Sequence, residues 1–277
     1  MFFFFSEGPP NDNGLKLSHN KDLLLPIVEK HFDNISYYTP SILKQMGYEY
    51  YVKERNTELV SKNPGMSKIG NSAWKPLILL LELQKMNEGD ILLYRDCNLS
   101  KYKNLTYYDN IRDIIDLCLQ KANFDFFISR EKESPKFKLK YWCKTNVIKE
   151  LGENHKFVYE FPLCVCNLLI VRKSKISIEL LNEWKLACEK EEWIDGKKYG
   201  NLYKDFKWST SEQAILNVIL ANWIRKRKYN IPIKYPSVIL KNRDIYKIIP
   251  SPEYDYIKYL NNIQVKNNKL LINKYNN

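Results

Sequence analysis

Short runs of apolar, aromatic and β-branched residues alternate along this chain with stretches whose apolar residues recur at helical spacing. The short runs predict strands at 2–5, 32–38, 49–52, 90–94, 124–128 and 161–171. The periodic stretches predict helices at 20–31, 39–47, 77–86, 111–121, 177–190 and 209–227. Because strands and helices alternate, we expect an α/β protein. No linker is evident, so the sequence predicts one domain, with a core at 1–225 and an extension at 226–277 packed on it.

Two of the predicted strands end in segments that are candidates for binding a ligand. The strand at 90–94 runs into residues 95–98, which include Asp96, and the strand at 2–5 runs into a polar loop. Open α/β sheets bind ligands beyond the carboxyl ends of their strands. A carboxylate in that place can hold a hard divalent cation. Taken alone, Asp96 fits a capping residue in a βα loop better than a metal ligand.

The composition is that of a globular protein with a strongly basic balance. Hydrophobic residues make up 44% and charged residues 27%, which excludes a disordered or fibrous chain. The net charge of +12 fits a phosphorylated substrate, an anionic membrane face or nucleic acid. The densest basic run, 225–228, ends a predicted helix, where cations complement the helix dipole and face solvent. We therefore expect no nucleic-acid partner, while peripheral membrane association stays open.

The cysteines and histidines limit the kinds of metal site and catalytic group that the sequence predicts. None of the six cysteines forms a CxxC pair, and no histidine stands at zinc-ligand spacing beside them, so we expect free, mostly buried thiols in a reducing cytoplasm. The apolar start at 2–5 is too short for a leader or a membrane span, which needs about 20 apolar residues. The three histidines form no evident catalytic triad, and the sequence has no glycine-rich phosphate loop of the Walker or Rossmann kind.

Two neighbouring blocks carry a resemblance to a known family. The sequence reads KIGNSAWKPLIL at 68–79 and MNEGDILLYRD at 86–96. These blocks resemble GT-A-type glycosyltransferases of bacterial and viral surface-glycan gene clusters, which show a Trp-Lys-Pro helix start, a Gly-Asp-Ile strand start and a Tyr-x-Asp motif. The resemblance implies a GT-A-like, Rossmann-related domain whose mixed central sheet is flanked by helices. It covers about residues 1–225 and is most specific in these two blocks.

The resemblance assigns a role to several residues of the two blocks. It implies that Asp96 is the ligand of a DxD-like motif for Mn²⁺ or Mg²⁺, and that Lys68 and Lys75 contact phosphate or sugar. Trp74 would pack beside them, although the start of a helix is also a place for a core anchor. The sequence departs from the family at Asn98, which occupies the second acidic position and offers only an amide oxygen to the metal.

The same resemblance extends to three further segments. The loop SEGPP after the first strand, with Ser6, Glu7 and Gly8, stands where a nucleotide-binding loop begins, or else forms a plain turn. The segment YWCKTN at 141–146 places Lys144 toward substrate, with a surface lysine as the alternative. The strand at 161–171 would line the acceptor side. Arg95, beside the metal ligand, would carry part of the pyrophosphate charge.

The segment WSTSEQAILN at 208–217 resembles a family motif in which an acid and a glutamine begin a helix at the reaction centre. It names Glu212 and Gln213 as the catalytic pair. Glu212 would deprotonate the acceptor in an inverting enzyme or stabilise the developing oxocarbenium in a retaining one. The alternative is a first-turn glutamate favoured by the helix dipole, with Ser209 or Ser211 as the cap.

These observations predict a metal-dependent hexosyltransferase. It would move a sugar from a nucleotide diphosphate to a hydroxyl of a glycan, a lipid-linked glycan or a protein. The alternative is a non-catalytic protein of the same fold that recognises anionic glycan or nucleic acid through its positive charge. Asn98, in place of a carboxylate, favours that alternative.

Overall fold

A computed structural model describes residues 2–4, 25–26, 28–29, 32, 34–60, 69–96, 125–130, 135–226, 236–242 and 245–250. In this part of the chain five strands form one sheet with the order β2-β1-β3-β5-β4. They are β1 (Phe2–Phe4), β2 (Ser36–Tyr38), β3 (Ile91–Arg95), β4 (Phe126–Arg130) and β5 (Cys164–Arg172). A separate hairpin consists of β6 (Pro236–Asn242) and β7 (Ile245–Pro250).

The sheet is mixed, and the direction of its strands defines a ligand edge. Strand β1 is parallel to β2 and β3, while β5 is antiparallel to both β3 and β4. The carboxyl ends of β1, β3 and β4 therefore meet the amino end of β5 at one edge of the sheet. Asp96 leaves β3 at this edge, opposite the first residues of β5.

Helices surround the sheet in the part of the chain that is described. They are α1 (Pro40–Gln45), α2 (Glu49–Val52), α3 (Trp74–Gln84), α4 (Thr145–Glu150), α5 (Lys156–Glu160), α6 (Lys175–Cys188), α7 (Glu191–Ile194) and α8 (Glu212–Arg225). Helix α6 packs against both α3 and α8. Its start is fixed by a reciprocal capping box between Ser174 and Ser177, which satisfies backbone donors that a helix start leaves unpaired. The chain is thus an α/β protein, as the alternating pattern predicts.

Helices α3 and α8 are buried around most of their circumference. Their buried positions include Leu77–Leu80 in α3 and Ala214–Trp223 in α8, which accounts for the predominantly apolar sequence of both. A helix that is hydrophobic all round belongs inside a core. Among the described residues no helix has the length and apolar character needed to cross a membrane.

Most predicted elements appear with boundaries shifted by a few residues, and one has the wrong type. Residues 49–52 are predicted to be extended but form the single-turn helix α2. Tertiary hydrogen bonds explain the difference, since the Tyr50 hydroxyl donates to the Glu189 carbonyl at 2.6 Å and Tyr51 bonds the Glu189 carboxylate. The predicted helix at 111–121 lies outside the described residues. Four of the predicted free thiols, those of Cys143, Cys164, Cys166 and Cys188, are free and buried.

A left-handed turn precedes α3 and fixes its start. Gly70, Asn71 and Ser72 have φ values of 57°, 47° and 62°. The Asn71 amide donates to the carbonyls of Asn56 and Ile194 at 3.1 Å, and Arg55 donates to the Gly70 carbonyl at 3.0 Å. Non-glycine residues in this conformation store strain that the surrounding structure must offset. The turn therefore sets where the first residues of α3 lie.

The packing around this turn predicts that Gly70→Ala destabilises the protein by about 3 kcal/mol or more. A Cβ at Gly70 would lie 1.9 Å from the Tyr51 carbonyl oxygen, in addition to the strain of positive φ. Gly47→Ala is the matched control, because Gly47 has φ +83° and no described atom within 4 Å of the added Cβ. It should cost only about 1 kcal/mol. Urea unfolding measures both, and equal losses would contradict the steric account.

Candidate active site

Three residues that are distant in sequence meet at the ligand edge of the sheet. The ammonium of Lys75 lies 3.0 Å from Glu212 Oε1 and 3.6 Å from Asp96 Oδ1. It also donates to the Cys166 carbonyl at 3.3 Å. We refer to Lys75, Asp96 and Glu212 as the Lys75 cluster. All three are candidate site residues in the sequence, and the structure brings them together.

The first turn of α3 carries Lys75 into the core. Lys75 is the second residue of this helix and is only 4% exposed. Its ammonium lies 5.3 Å from the centroid of the Tyr94 ring and 5.7 Å from that of Trp74. Both aromatic rings present electron-rich faces that attract a cation. The long lysine side chain is therefore surrounded by apolar groups while its charge meets carboxylates.

Trp74 itself is a core anchor. It is 3% exposed, its indole N–H donates to the Ile69 carbonyl at 3.2 Å, and its ring packs edge-on against Tyr94. Of the two interpretations open from the sequence, the structure supports the anchor at the start of the helix.

Asp96 forms the open side of the cluster. It directly follows β3, and its side chain is 38% exposed. The Tyr94 hydroxyl donates to Oδ1 at 2.6 Å, on the same oxygen that faces Lys75. Within the described part of the chain both polar contacts of this carboxylate use Oδ1. Among the described residues none is recorded in contact with the second oxygen, Oδ2.

Glu212 forms the buried side of the cluster and is presented by a strained turn. It begins α8 and is 6% exposed. The residue before it, Ser211, has φ 48° and ψ −116°, a conformation that side chains rarely adopt. Ser211 makes no side-chain cap bond, and the Ser209 hydroxyl accepts from the Ser211 N–H before the helix starts. The capping serines expected from the sequence are therefore not used as caps.

An orphaned hydroxyl lies beside Glu212. The Ser211 side-chain oxygen is buried and has no hydrogen-bond partner among the described residues. Buried polar atoms in native proteins are almost always paired. An unpaired hydroxyl next to a buried carboxylate therefore points to a ligand or an ordered water at the start of α8.

Gln213 and Asn217 hold α8 against the first residues of β5. The Asn217 amide accepts from the Cys164 N–H at 2.7 Å and donates to the Cys164 carbonyl at 2.9 Å. The side-chain Oε1 of Gln213 accepts from the Cys166 N–H at 2.9 Å. The two amides thereby satisfy backbone groups of β5, in the manner of a neighbouring strand. Gln213 makes a positioning contact in this structure, next to the Cys166 carbonyl that holds Lys75.

Asn217 is a residue whose positioning role is not predicted from the sequence. Its signal is present nonetheless, because two amide side chains four residues apart on a helix share one face. In the sequence Tyr94 is recognisable only as part of the family motif. In the structure its hydroxyl donates to Asp96. A tyrosine two residues from an acid on the same strand face is a suitable donor to it.

Burial and the attraction between opposite charges shift the pKa values of Lys75 and Glu212. Burial by itself lowers the pKa of Lys75, but Asp96 and Glu212 outweigh it and raise that pKa above its usual value. For Glu212, burial raises the pKa, and the attraction of Lys75 offsets only part of this effect. With both carboxylates ionised, the cluster carries one positive and two negative charges. The site thus has a local charge of −1 in a protein of net charge +12.

Lys144 lies in a different environment from the one expected. It is fully buried, and its ammonium donates at 2.7 Å to the carbonyls of both Glu192 and Asp195. These carbonyls end helix α7, so Lys144 satisfies backbone acceptors that the helix leaves open. Burial lowers its pKa despite Asp195. These contacts do not fit a substrate-facing role and correct that expectation.

Several predicted site residues lie outside the described part of the chain. They are Ser6, Glu7, Gly8, Lys68 and Asn98, together with the side chain of Arg95. Among the described residues no group of three or more histidine, cysteine, aspartate or glutamate side chains is arranged to hold a metal ion. Of the two predicted metal ligands, the described residues thus include only Asp96.

Comparison with known proteins adds no family assignment. No protein-family model, no curated protein and no solved structure matches this chain. The functional argument therefore depends on the residues of the chain and on their geometry.

The buried charges predict a large effect of Lys75→Met on stability. The substitution keeps the volume but leaves two carboxylates without their cation, and breaking such a buried pair costs about 3–5 kcal/mol. Adding Glu212→Gln should restore much of the loss, because the buried acid is then neutral. Denaturant unfolding of the single and double variants measures both effects.

Lys190→Met is the control for this experiment. Lys190 pairs with Glu150 at 2.6 Å, and the two side chains are 39% and 44% exposed. A surface pair of this kind contributes about 0–1 kcal/mol. If Lys75→Met were no more destabilising than Lys190→Met, the cluster would not be a buried ion pair.

Proposed function

We propose that this protein is a nucleotide-sugar-dependent glycosyltransferase of GT-A-like fold. The observation that carries the proposal is the Lys75 cluster at the carboxyl edge of a mixed α/β sheet. It unites residues from three of the family-like segments, namely Lys75 of the Trp-Lys-Pro helix, Asp96 of the Tyr-x-Asp strand and Glu212 of the Glu-Gln helix. If the resemblance of these three segments were due to chance, their side chains would not be expected to meet.

The described residues fit a divalent cation that is shared with the substrate. Mg²⁺ and Mn²⁺ sites commonly use one or two carboxylates and complete their coordination with water and substrate phosphates. Asp96 offers one partly exposed carboxylate, whose contacts with the described residues involve only Oδ1. A cation there would stabilise the charge that develops on the leaving nucleoside diphosphate. Asn98 would add an amide oxygen.

The charge of the cluster favours joint binding of cation and donor. A divalent cation alone would lie near the Lys75 ammonium, and a diphosphate alone would lie near Asp96 and Glu212. When both bind, each offsets the repulsion that the other meets. We therefore expect the nucleotide sugar and the metal to bind cooperatively.

Glu212 supplies the second chemical group. Glu212 is buried at the start of α8, and the preceding Ser211 carries a buried hydroxyl that has no partner among the described residues. In an inverting reaction Glu212 would accept the proton of the acceptor hydroxyl, and in a retaining one it would stabilise the oxocarbenium. Lys75, held protonated by two acids, keeps Glu212 close to this position.

The second candidate function is a non-catalytic protein that binds anionic glycan or nucleic acid. The proximity of the Lys75 ammonium to Asp96, at 3.6 Å, favours it, since that charge repels a cation. Under this alternative the cluster is a structural ion pair, and the net charge of +12 attracts the anionic ligand.

Thermal unfolding with nucleotide sugars separates the two functions. UDP-glucose, UDP-galactose, UDP-N-acetylglucosamine and GDP-mannose are each added with and without Mn²⁺. A donor present at about a hundred times its Kd stabilises by about 2.7 kcal/mol, which raises the Tm by several degrees. We expect this shift for at least one donor, only with Mn²⁺, and we expect Asp96→Ala to abolish it.

Asp205→Ala serves as the matched control, because Asp205 is an exposed acid outside the cluster. It should leave the shift unchanged. Absence of a shift with every donor, together with salt-sensitive binding of RNA, would refute the transferase and support the alternative.

The environment of Glu212 predicts the pH dependence of turnover. Since burial raises its pKa, the ionised form is lost as the pH falls, at pH values above the ordinary glutamate range. The kcat/KM for release of nucleoside diphosphate from the donor should therefore decrease on the acid side in that range. Glu212→Gln should lower kcat by about 10²- to 10⁴-fold and remove this acid limb. Persistence of the limb in the variant would assign it to another group.

A further inference from the structure

An aromatic layer lies on the outside of the core, next to the segment that leads into α8. The rings of Trp142 and Trp208 meet edge to face with centroids 4.5 Å apart, and Phe137 stacks on Trp142 at 5.8 Å. Trp142 and Phe137 pack against the hydrophobic core, whereas Trp208 is not among the residues that do so. Trp208 is therefore the outer member of this layer.

The polar edge of Trp208 is also unused. Its side chain is partly exposed, and in the described part of the chain its indole N–H donates to no protein acceptor. The indole N–H of Trp142, in contrast, donates to the Lys136 carbonyl at 2.8 Å. Tryptophan normally finds a partner for its N–H when it packs in a protein. Trp208 thus combines a partly exposed apolar ring with an N–H donor that has no acceptor among the described residues.

The backbone ties Trp208 rigidly to Glu212. Thr210 donates through its N–H and its hydroxyl to the Trp142 carbonyl, at 3.1 and 3.3 Å, and the Ser209 N–H donates to the Leu59 carbonyl at 2.6 Å. Trp208 precedes Glu212 by four residues, which a chain spans over at most about 14 Å. A short oligosaccharide can therefore reach from one residue to the other.

We propose that Trp208 is the binding platform for a carbohydrate acceptor, an inference that rests on the proposed function. The apolar face of a pyranose ring stacks on the indole, and the indole N–H donates to a sugar hydroxyl. The acceptor hydroxyl to be glycosylated then points toward Glu212. Large, rigid aromatic side chains bind with little loss of conformational entropy, which suits them to this task.

The surroundings favour a sugar over a nucleic acid on this platform. Proteins that bind single-stranded nucleic acid align several aromatic rings along a positively charged groove. Here Trp208 and Trp142 meet edge to face, so their rings do not form a row of parallel faces on which successive bases could stack.

The experiment uses the full chain with Mn²⁺ and the donor that gives the largest thermal shift. Methyl glycosides of glucose, galactose, mannose and N-acetylglucosamine serve as acceptor probes in transfer assays. Trp208→Ala should raise the acceptor KM about tenfold or more, as for loss of an aromatic binding anchor, while the donor KM changes less than twofold. Trp208→Phe, which keeps a ring without the N–H, should recover part of the affinity.

Trp193→Ala is the matched control. Trp193 is also a partly exposed tryptophan, but its indole N–H already donates to Glu150 at 3.1 Å. This variant should leave the acceptor KM unchanged. An equal rise in both variants, or a change of less than twofold with Trp208→Ala, would overturn the proposal.

Saturation-transfer NMR with the same methyl glycosides tests the platform without turnover. Transfer to a sugar ring that is present in the wild-type protein and lost in Trp208→Ala supports the platform even if no donor is hydrolysed. Absence of a donor-dependent reaction would then count against the transferase alone. Binding of oligo(dT) that depends on Trp208 and falls with salt, with no sugar signal, would overturn the carbohydrate assignment.

Discussion

The structure depends on a buried ammonium that must be neutralised. Removing the Lys75 charge from water costs several kcal/mol, and only close carboxylates with good geometry can offset that amount. Asp96 and Glu212 provide them from a strand end and a helix start that are far apart in sequence. The ion pair therefore fixes the relative placement of α3, β3 and α8, and any displacement of one of them leaves a charge unpaired.

The two helix starts that carry this pair are held by unusual backbone. Gly70, Asn71 and Ser72 adopt left-handed conformations before α3, and Ser211 adopts one before α8. Strain of this kind persists only where the surrounding contacts determine it, and it is concentrated at functional sites. In this protein Arg55 and the Asn71 amide secure the first turn, while Gln213 and Asn217 secure α8 against β5. The rigid surroundings explain how a lysine and a glutamate can be placed within 3.0 Å of each other inside the core.

The sequence predicted the elements whose pattern is local. Strand β3 and helices α3, α6 and α8 have apolar spacings that propensity and burial both support. It did not predict α2, because the tyrosine hydroxyls that stabilise this turn reach the distant end of α6. The same limit applies to Lys144. Nothing local distinguishes a lysine that faces substrate from one that satisfies the last carbonyls of another helix.

At the candidate site, the local sequence does not reveal the contact that makes three residues into one site. Each of the three cluster residues has a plain local explanation, as a helix-start lysine, a loop aspartate and a first-turn glutamate. Only their contact distinguishes a site from three separate surface features. Because one ammonium serves two carboxylates, the charge state of each acid affects the other. Asp96 is the more exposed of the two acids, so a ligand that binds at Asp96 also changes the electrostatic environment of Glu212 through the ammonium that they share.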